Sequence, residues 1–239
     1  MHRFFVKNFS GQKTEATIDA PALIHQIARV LRLKPSQEII IFNQAGQEFL
    51  FLITAITDKN IAGQIIKKIT NATEPNLKIN LYQALLKQDS WDWIIKHGTS
   101  LGINQFIPMI SERSIVRQIS DNKIKRWQKI AQEAAEQSGR VHVPEITEPI
   151  KLSDIKASRD KTAINLIAWE KAKASLTNLL PTKTPKVINL FIGPEGGFSE
   201  SEIKILEGTG GQIFLFGPRI LRAEFAGLAI SSAIFYHYS

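Results

Sequence analysis

The sequence contains no cysteine, which excludes disulfide bonds and thiolate metal sites. It has no unbroken run of about 18 apolar residues, so we expect no membrane-spanning helix. The opening residues, MHRFFVKNFSG, lack the apolar core and the small-residue cleavage site of a secretory signal. Together these absences are typical of a cytoplasmic protein.

Two nucleotide-binding motifs are absent as well. Neither the P-loop pattern G-x-x-x-x-G-K-[ST] nor the dinucleotide pattern G-x-G-x-x-G occurs at the glycine-rich stretch 193–197. This weakens the hypothesis of a small-molecule nucleotide-binding enzyme. No metal site is expected either, because His25 and His97 have no carboxylate or second histidine at the spacing of metal ligands.

Positive charge is in excess. Thirty lysines and arginines against 22 aspartates and glutamates give a net charge of +8. A basic protein attracts polyanions, of which nucleic acid is the commonest in a cytoplasm. The plainer interpretation, that the charge serves only solubility, stays open at this point.

The pattern of apolar residues changes near residue 71. Residues 1–71 are rich in strand-like runs separated by short turns, which indicates a β meander or a small barrel. Residues 72–239 alternate between strand-like and helix-like segments, which indicates an α/β domain with a parallel sheet. We therefore predict two domains, 1–71 and 72–239, with the boundary in the polar stretch 70–76.

Three helices have predicted details that the structure can test. A helix should begin with Asp19 as its N-cap and bury Leu23, Ile27, Val30 and Leu31 on one face. A second should turn Trp91, Ile94, Ile95 and Leu101 inward and end at Gly102. The last helix should run from Leu221 to the C-terminus, with two apolar faces, one for the core and one for a partner subunit.

The stretch LFIGPEGGFSESE combines the end of a strand, a glycine-proline loop and a helix start. Ser199 and Glu202 have the spacing of a capping box, so a helix is predicted to begin directly after the loop. Open parallel sheets bind ligands at this edge. A second strand ends in a similar loop, FGPRILRAE. The two loops predict a cleft with walls from Ile192, Ile220 and Leu221 that suits an uncharged heterocycle such as adenine, although an ordinary tight turn is the alternative.

Arg219 and Arg222 lie where the last helix is predicted to begin. Because a cation there opposes the helix macrodipole, it suggests an anionic partner. A surface salt bridge with Glu224 is the alternative interpretation.

With these residues in hand, the chain resembles the RsmE family of SPOUT RNA methyltransferases over nearly its whole length. The resemblance rests on HRFF, HQIARVLRLKPSQEIIIFN, KQDSWDWIIKHGTSLGI, SERS, KRWQKIAQEAAEQSGRVHVP, IGPEGGFSESE and FGPRILRAE. It implies an RNA-binding PUA-like β-barrel followed by a SPOUT domain with a trefoil knot. It also implies a homodimer that uses S-adenosyl-L-methionine to methylate N3 of one uridine in 16S, small-subunit, ribosomal RNA, either naked or in the assembled subunit.

The resemblance also suggests roles for residues. Arg222 would stabilise negative charge on the uracil, and Glu224, Glu195 or water would act as the base. Holding the loop together is the favoured role for Glu195. The predicted cofactor-binding residues are Ile192, Gly193, Pro194, Glu195, Gly196, Gly197, Leu215, Phe216, Gly217, Ile220 and Leu221. The predicted RNA-binding residues are Arg3, Arg29, Arg32, Lys34, Lys123, Arg126, Lys129 and Arg140. The last four cluster near Trp127, which we expect to be core, and a merely solvated charged face is the alternative for them.

The chain departs from the family pattern at four positions. Ala223 and Phe225 stand where threonines are usual, Ser100 replaces a glutamate and His97 replaces a lysine. The changed start of the last helix motivates an alternative function, a catalytically silent RNA-binding or ribosome-assembly protein on the same scaffold.

Overall fold

The structure is a computed structural model that describes residues 1–12, 14–70, 72–156 and 162–239. Contacts within the chain divide it into two compact units. The first comprises Met1–Glu74 and Ala135–Val143, and the second comprises Pro75–Ala134 and Pro144–Ser239. The predicted division into 1–71 and 72–239 did not anticipate that Ala135–Val143 returns to the first unit. Asn71 itself lies outside the described residues.

A five-stranded sheet forms most of the first unit. Its strands are β1 (Arg3–Phe5), β2 (Glu15–Ile18), β3 (Glu38–Phe42), β4 (Glu48–Ile56) and β5 (Ile61–Ile69). The predicted meander is confirmed, because β3, β4 and β5 pair antiparallel in order. Parallel pairing adds β1 beside β3, and β2, a strand that was not predicted, pairs with β5. Alternate side chains of these strands share one apolar core.

The helical segment of this unit differs from its prediction. α1 (Pro21–His25) begins one residue later than expected, with Ala20 rather than Asp19 as the N-cap. A π-helical turn, Gln26–Val30, follows directly. Leu23 and Ile27 are buried as predicted, but Val30 is 63% exposed. The wider π turn, closed by Leu31 N donating to Gln26 O at 2.9 Å, rotates Val30 off the buried face.

The segment around residue 140 is held to the first unit by a buried ion pair. The Arg140 side chain is 4% exposed and its Nη2 donates to Glu74 Oε2 at 2.7 Å. Burial raises the pKa of Glu74, but hydrogen bonds and charge from Arg140, with donation from the backbone amides of Val141 and His142, lower it more, so the net direction is down. Ionised Glu74 therefore stabilises the fold.

A seven-stranded sheet forms the centre of the second unit. Its strands are β6 (Lys78–Ala84), β7 (Gln105–Ile110), β8 (Glu145–Ile146), β9 (Ile150–Lys151), β10 (Ile164–Ala168), β11 (Val187–Ile192) and β12 (Gln212–Phe214). The order is β12-β10-β11-β6-β7-β8, with β9 also paired to β7, and every pairing is parallel. The predicted α/β class is confirmed.

Helices cover both faces of this sheet. They are α2 (Ser90–Leu101), α3 (Asp121–Ser138), α4 (Leu176–Leu179), α5 (Glu200–Gly208) and α6 (Ala223–His237), with the end of α3 belonging to the first unit. Tyr82 and Phe191 stack towards the side of α5, whereas Leu81 and Gln83 face α6 at Gly227. None of the described helices is both long and apolar enough to cross a membrane.

Two helix predictions need correction. In α2, Trp91, Ile94 and Ile95 are buried as expected, but Leu101 is 38% exposed because it precedes the left-handed Gly102 that ends the helix. α6 begins at Ala223 rather than Leu221, because Arg222 is extended and accepts the first helical hydrogen bonds.

Candidate functional site

One cavity of about 870 Å³ lies at the carboxyl edge of the second unit's sheet. It lies between the loop that follows β11 and the loop that follows β12. Every residue that the sequence analysis assigned to cofactor binding lines this cavity, from Ile192–Gly197 and from Leu215–Leu221, and so do Arg222 and Glu224. A single cavity therefore brings together two stretches about 20 residues apart in the chain.

Two positions in the loop after β11, 193 and 197, favour glycine for different physical reasons. A Cβ on Gly193 would lie 3.2 Å from the backbone nitrogen of Phe198, so a side chain there would require the neighbouring backbone to shift by a few tenths of an ångström. Gly197 has a φ of 67°, in the left-handed region, and its N–H donates to Pro194 O at 2.9 Å. The loop is thus a tight turn in which Glu195 and Gly196 are exposed.

The helix start that follows is anchored twice. In the predicted capping box, Ser199 Oγ accepts from Glu202 N at 3.3 Å and Ser199 N donates to Glu202 Oε2 at 2.9 Å. The residue after Ser111 adds a second anchor. Glu112 N donates to Glu202 Oε1 at 2.8 Å, and Glu112 Oε2 accepts from Ser199 Oγ at 2.7 Å.

Arg113 reaches the glycine loop itself. Its Nη1 donates to Gly196 O at 2.7 Å, and its aliphatic stem lies 3.4 Å from the position of a Cβ on Gly196. Arg113 lies in the stretch SERS, one of the motifs of the resemblance, and no role was predicted for it from the sequence. The available signal was its position directly after β7, at the same edge of the parallel sheet as the glycine loop.

The predicted catalytic residues differ in exposure. The Arg222 side chain is 88% exposed, and its Nη1 lies 3.9 Å from Glu224 Oε1, so the expected salt bridge exists but is long. Glu224 is half-buried in the first turn of α6. Glu195 is exposed and accepts a long hydrogen bond of 3.4 Å from Lys87 N, which links it to the loop after β6.

The predicted RNA-binding residues fall into two groups. Arg29, Arg32, Lys34, Arg126 and Lys129 are exposed, and Lys123 is half-buried over the Trp127 ring. The structure corrects the prediction for the other two, Arg3 and Arg140. Both guanidinium groups are mostly buried in ion pairs, with Glu48 and Glu74 respectively, so neither is accessible to an RNA phosphate in this conformation.

The tryptophans and the unusual residues also have clear positions. Trp127 is buried as predicted and stacks on Trp91, with ring centroids 4.7 Å apart. Ala223 lines the cavity, whereas Phe225 is 47% exposed and its ring centroid lies 6.5 Å from that of Trp93. His97 contacts the other side of this pair, with its ring centroid 4.7 Å from that of Trp93. Ser100, the fourth departure, is exposed and donates to Lys96 O at 3.2 Å.

Comparisons with known proteins agree with this architecture. A model of an RNA methyltransferase domain matches residues 73–235, and a model of an RNA methyltransferase PUA domain matches residues 23–66. Ribosomal RNA small subunit methyltransferase E of Bacillus subtilis is 32% identical over 99% of this chain and 96% of its own length, and that of Mesomycoplasma hyopneumoniae is 32% identical over 95% and 96%.

A solved structure gives the same result. The crystal structure of ribosomal RNA small subunit methyltransferase E from Neisseria gonorrhoeae, bound to S-adenosyl methionine, superposes with a TM-score of 0.88 at 30% identity. The match covers 98% of this chain and 96% of that one. By its sequence, its two units and its parallel sheet, the chain belongs to the ribosomal RNA small subunit methyltransferase E family of RNA methyltransferases.

Proposed function

We propose that this protein transfers a methyl group from S-adenosyl-L-methionine to N3 of a uridine in small-subunit ribosomal RNA. The observation that carries the proposal is the single cavity between the two glycine-proline loops, in a chain whose Neisseria relative is crystallised with that cofactor. Its volume of about 870 Å³ lies within the range of roughly 300–1,000 Å³ typical of ligand pockets.

The residues present fit an adenosyl group. Gly193 and Gly197 line the cavity without side chains of their own, and Ile192 and Leu221 supply apolar walls. The cofactor would supply an electrophilic methyl group, so the protein's own tasks are binding, alignment and control of charge. A trefoil knot around this cavity, which the resemblance implies, stays a prediction.

Arg222 is our candidate for charge control. Uracil N3 becomes nucleophilic when its proton leaves, and the negative charge then spreads onto O2 and O4. Arg222 lines the cavity, is largely exposed and, among the described residues, has only a long contact with Glu224, so its planar donors are available for that charge. Glu224 lines the same cavity and is half-buried, and it is therefore the favoured base over Glu195.

RNA contact would use the exposed cations of each unit. Arg29, Arg32 and Lys34 are exposed in the first unit, and Arg126 and Lys129 in the second. Two of these cations have weak partners among the described residues, since Arg29 lies 3.4 Å from an exposed Asp58 and Lys129 lies 3.8 Å from Glu133, whereas Arg126 forms a close ion pair with Asp92. Exposed pairs of this kind exchange readily for phosphates.

We also infer a homodimer that acts in the cytoplasm. α2 and α6 expose large apolar side chains, of which Trp93 is 41% exposed, Phe225 is 47% exposed and Tyr236 is 84% exposed. Two of them, Trp93 and Phe225, contact each other. A second copy of the chain is the partner that would cover this aromatic surface.

Methyl transfer tests the proposal directly. The wild-type protein is incubated with cofactor labelled in its methyl group and with small-subunit RNA or whole subunits, and the product nucleoside is identified by mass spectrometry. We expect N3-methyluridine at one position. Arg222→Ala should bind the cofactor but lose transfer, whereas Arg117→Ala, at an exposed arginine outside the cavity lining, should retain both.

The alternative function, a silent RNA-binding protein, makes a different prediction. It is motivated by Ala223, which lines the cavity where the family has a threonine. It would give RNA binding and no label transfer to any substrate form. It is not favoured, because the relatives that match nearly the whole chain carry the methyltransferase name.

A further inference from the structure

A third loop contributes to the cavity, and the sequence analysis assigned it no role. β10 lies between β11 and β12 in the sheet, so the loop that follows it emerges between the two glycine-proline loops. Ala168, Trp169 and Glu170 of this loop all line the cavity. The strand order therefore brings one carboxylate into the middle of the proposed cofactor site.

The Glu170 carboxylate lies beside the glycine loop. Both of its oxygens lie 3.3 Å from the position that a Cβ on Gly197 would occupy. A side chain at Gly197 would therefore crowd the carboxylate, in addition to requiring a left-handed backbone. Glycine at this position makes room for Glu170.

This carboxylate has free acceptor capacity. Among the described residues, Glu170 forms no hydrogen bond or ion pair, although Lys171 beside it pairs with Glu200 at 3.1 Å. The loop after β10 thus presents, at the cavity wall, a carboxylate with no hydrogen-bond partner among the described residues, and a bound ligand with O–H donors could use it as an acceptor.

We propose that Glu170 binds the ribose hydroxyls of the adenosyl cofactor, an inference that rests on the proposed function. A vicinal diol offers two O–H donors, and a carboxylate offers two oxygens that accept them together. The ribose is the central part of the cofactor, between adenine and the amino acid. Glu170 is correspondingly on the central one of the three loops.

Calorimetry on the full chain tests this assignment. The probes are S-adenosylhomocysteine, its 2′-deoxy and 3′-deoxy analogues, and 5′-methylthioadenosine, which keeps the ribose but lacks the amino acid. Glu170→Gln should raise the Kd of S-adenosylhomocysteine and the Kd of methylthioadenosine by the same factor, about tenfold, because the variant loses a charge-assisted acceptor. At least one deoxy analogue should bind the wild type more weakly than S-adenosylhomocysteine does. The Kd of that analogue should be nearly the same for Glu170→Gln as for the wild type.

A matched control is Glu207→Gln, at an exposed glutamate of α5 outside the cavity lining, which should bind every probe like the wild type. Thermal unfolding of both variants should match the wild type, because both side chains are exposed.

The outcomes separate this inference from the proposed function. If the wild type binds S-adenosylhomocysteine and Glu170→Gln binds it equally well, the role of Glu170 is wrong and the cofactor site stands. If the loss is confined to S-adenosylhomocysteine and spares methylthioadenosine, the carboxylate binds the amino group and the ribose assignment is overturned. If the wild type binds none of the probes, both proposals fail.

Discussion

Removing the Arg113 side chain is the sharpest test of how the glycine loop is held. Arg113 donates to Gly196 O at 2.7 Å, and this is a hydrogen bond from a charged donor to a loop carbonyl. Such a bond contributes about 1.5–3 kcal/mol when it is shielded from water. Because Arg113 is exposed, we discount it to about 1 kcal/mol.

That energy should appear as lost affinity rather than lost stability. In Arg113→Ala the loop must be ordered again each time a ligand binds, so about 1 kcal/mol of binding free energy is lost, a roughly fivefold increase in Kd. The free energy of unfolding should change by less than about 0.5 kcal/mol, as for most exposed positions. Arg113→Lys, which keeps a cationic donor, should show a smaller increase.

Arg117→Ala is the matched control, measured by calorimetry with S-adenosylhomocysteine. Arg117 is also exposed and also donates to a backbone carbonyl, that of Glu112 at 3.0 Å, but it does not contact the glycine loop. The two variants remove the same charge from the same segment. Equal values of Kd for the two variants would refute the reasoning, because the effect would then be general electrostatics.

Three further predictions concern stability, the loop and assembly. Glu74→Gln removes the charged partner of buried Arg140 and should lower the free energy of unfolding by about 3 kcal/mol, as measured by urea denaturation at pH 7. The ordinary pKa of Glu74 is 4.5, and its pKa in the folded protein is lower. As the pH falls below 4.5 and through that lower value, the wild type loses the stabilisation from ionised Glu74, so the difference between the variant and the wild type should shrink. Gly197→Ala should lower the free energy of unfolding by about 1–2 kcal/mol, because residue 197 has a left-handed backbone. It should also weaken the binding of S-adenosylhomocysteine, because the new Cβ would crowd Glu170. Phe225→Asp should convert the proposed dimer to a monomer, as measured by analytical ultracentrifugation.

Each of these has an outcome that contradicts it. A stability loss for Glu74→Gln that is the same at pH 7 and pH 3 would mean that the carboxylate's charge is not involved. Gly210 has a φ of 82°, similar to that of Gly197, but open space around the position of a Cβ, so Gly210→Ala should lower stability without weakening ligand binding. Equal losses of affinity in Gly210→Ala and Gly197→Ala would contradict the proposed crowding of Glu170. Ile205→Asp, on α5, should remain dimeric, and a dimeric Phe225→Asp would exclude the aromatic surface as the interface.

Short-range signals predicted much of this molecule. The capping box of Ser199 and Glu202 joins residues three apart, and the structure has both of its hydrogen bonds. The strands Glu38–Phe42, Glu48–Ile56, Ile61–Ile69 and Val187–Ile192 match the apolar runs, because burial on a sheet selects such runs wherever they occur. The short strands β8 and β9, of two residues each, contain too few residues for a periodic signal.

The sequence by itself determined most of the longer elements, the alternation that makes the second unit α/β, and the two loops that contain glycine and proline. Only the tertiary structure decided which charges are free. Arg3 and Arg140 look like RNA ligands in the sequence, but the fold supplies Glu48 and Glu74, at separations of 45 and 66 residues, as their buried partners. The strand order likewise brings Glu170 to the cavity. The physical reason is that local hydrogen bonds depend on neighbours in the chain, whereas the partner of a charge depends on which strands lie side by side.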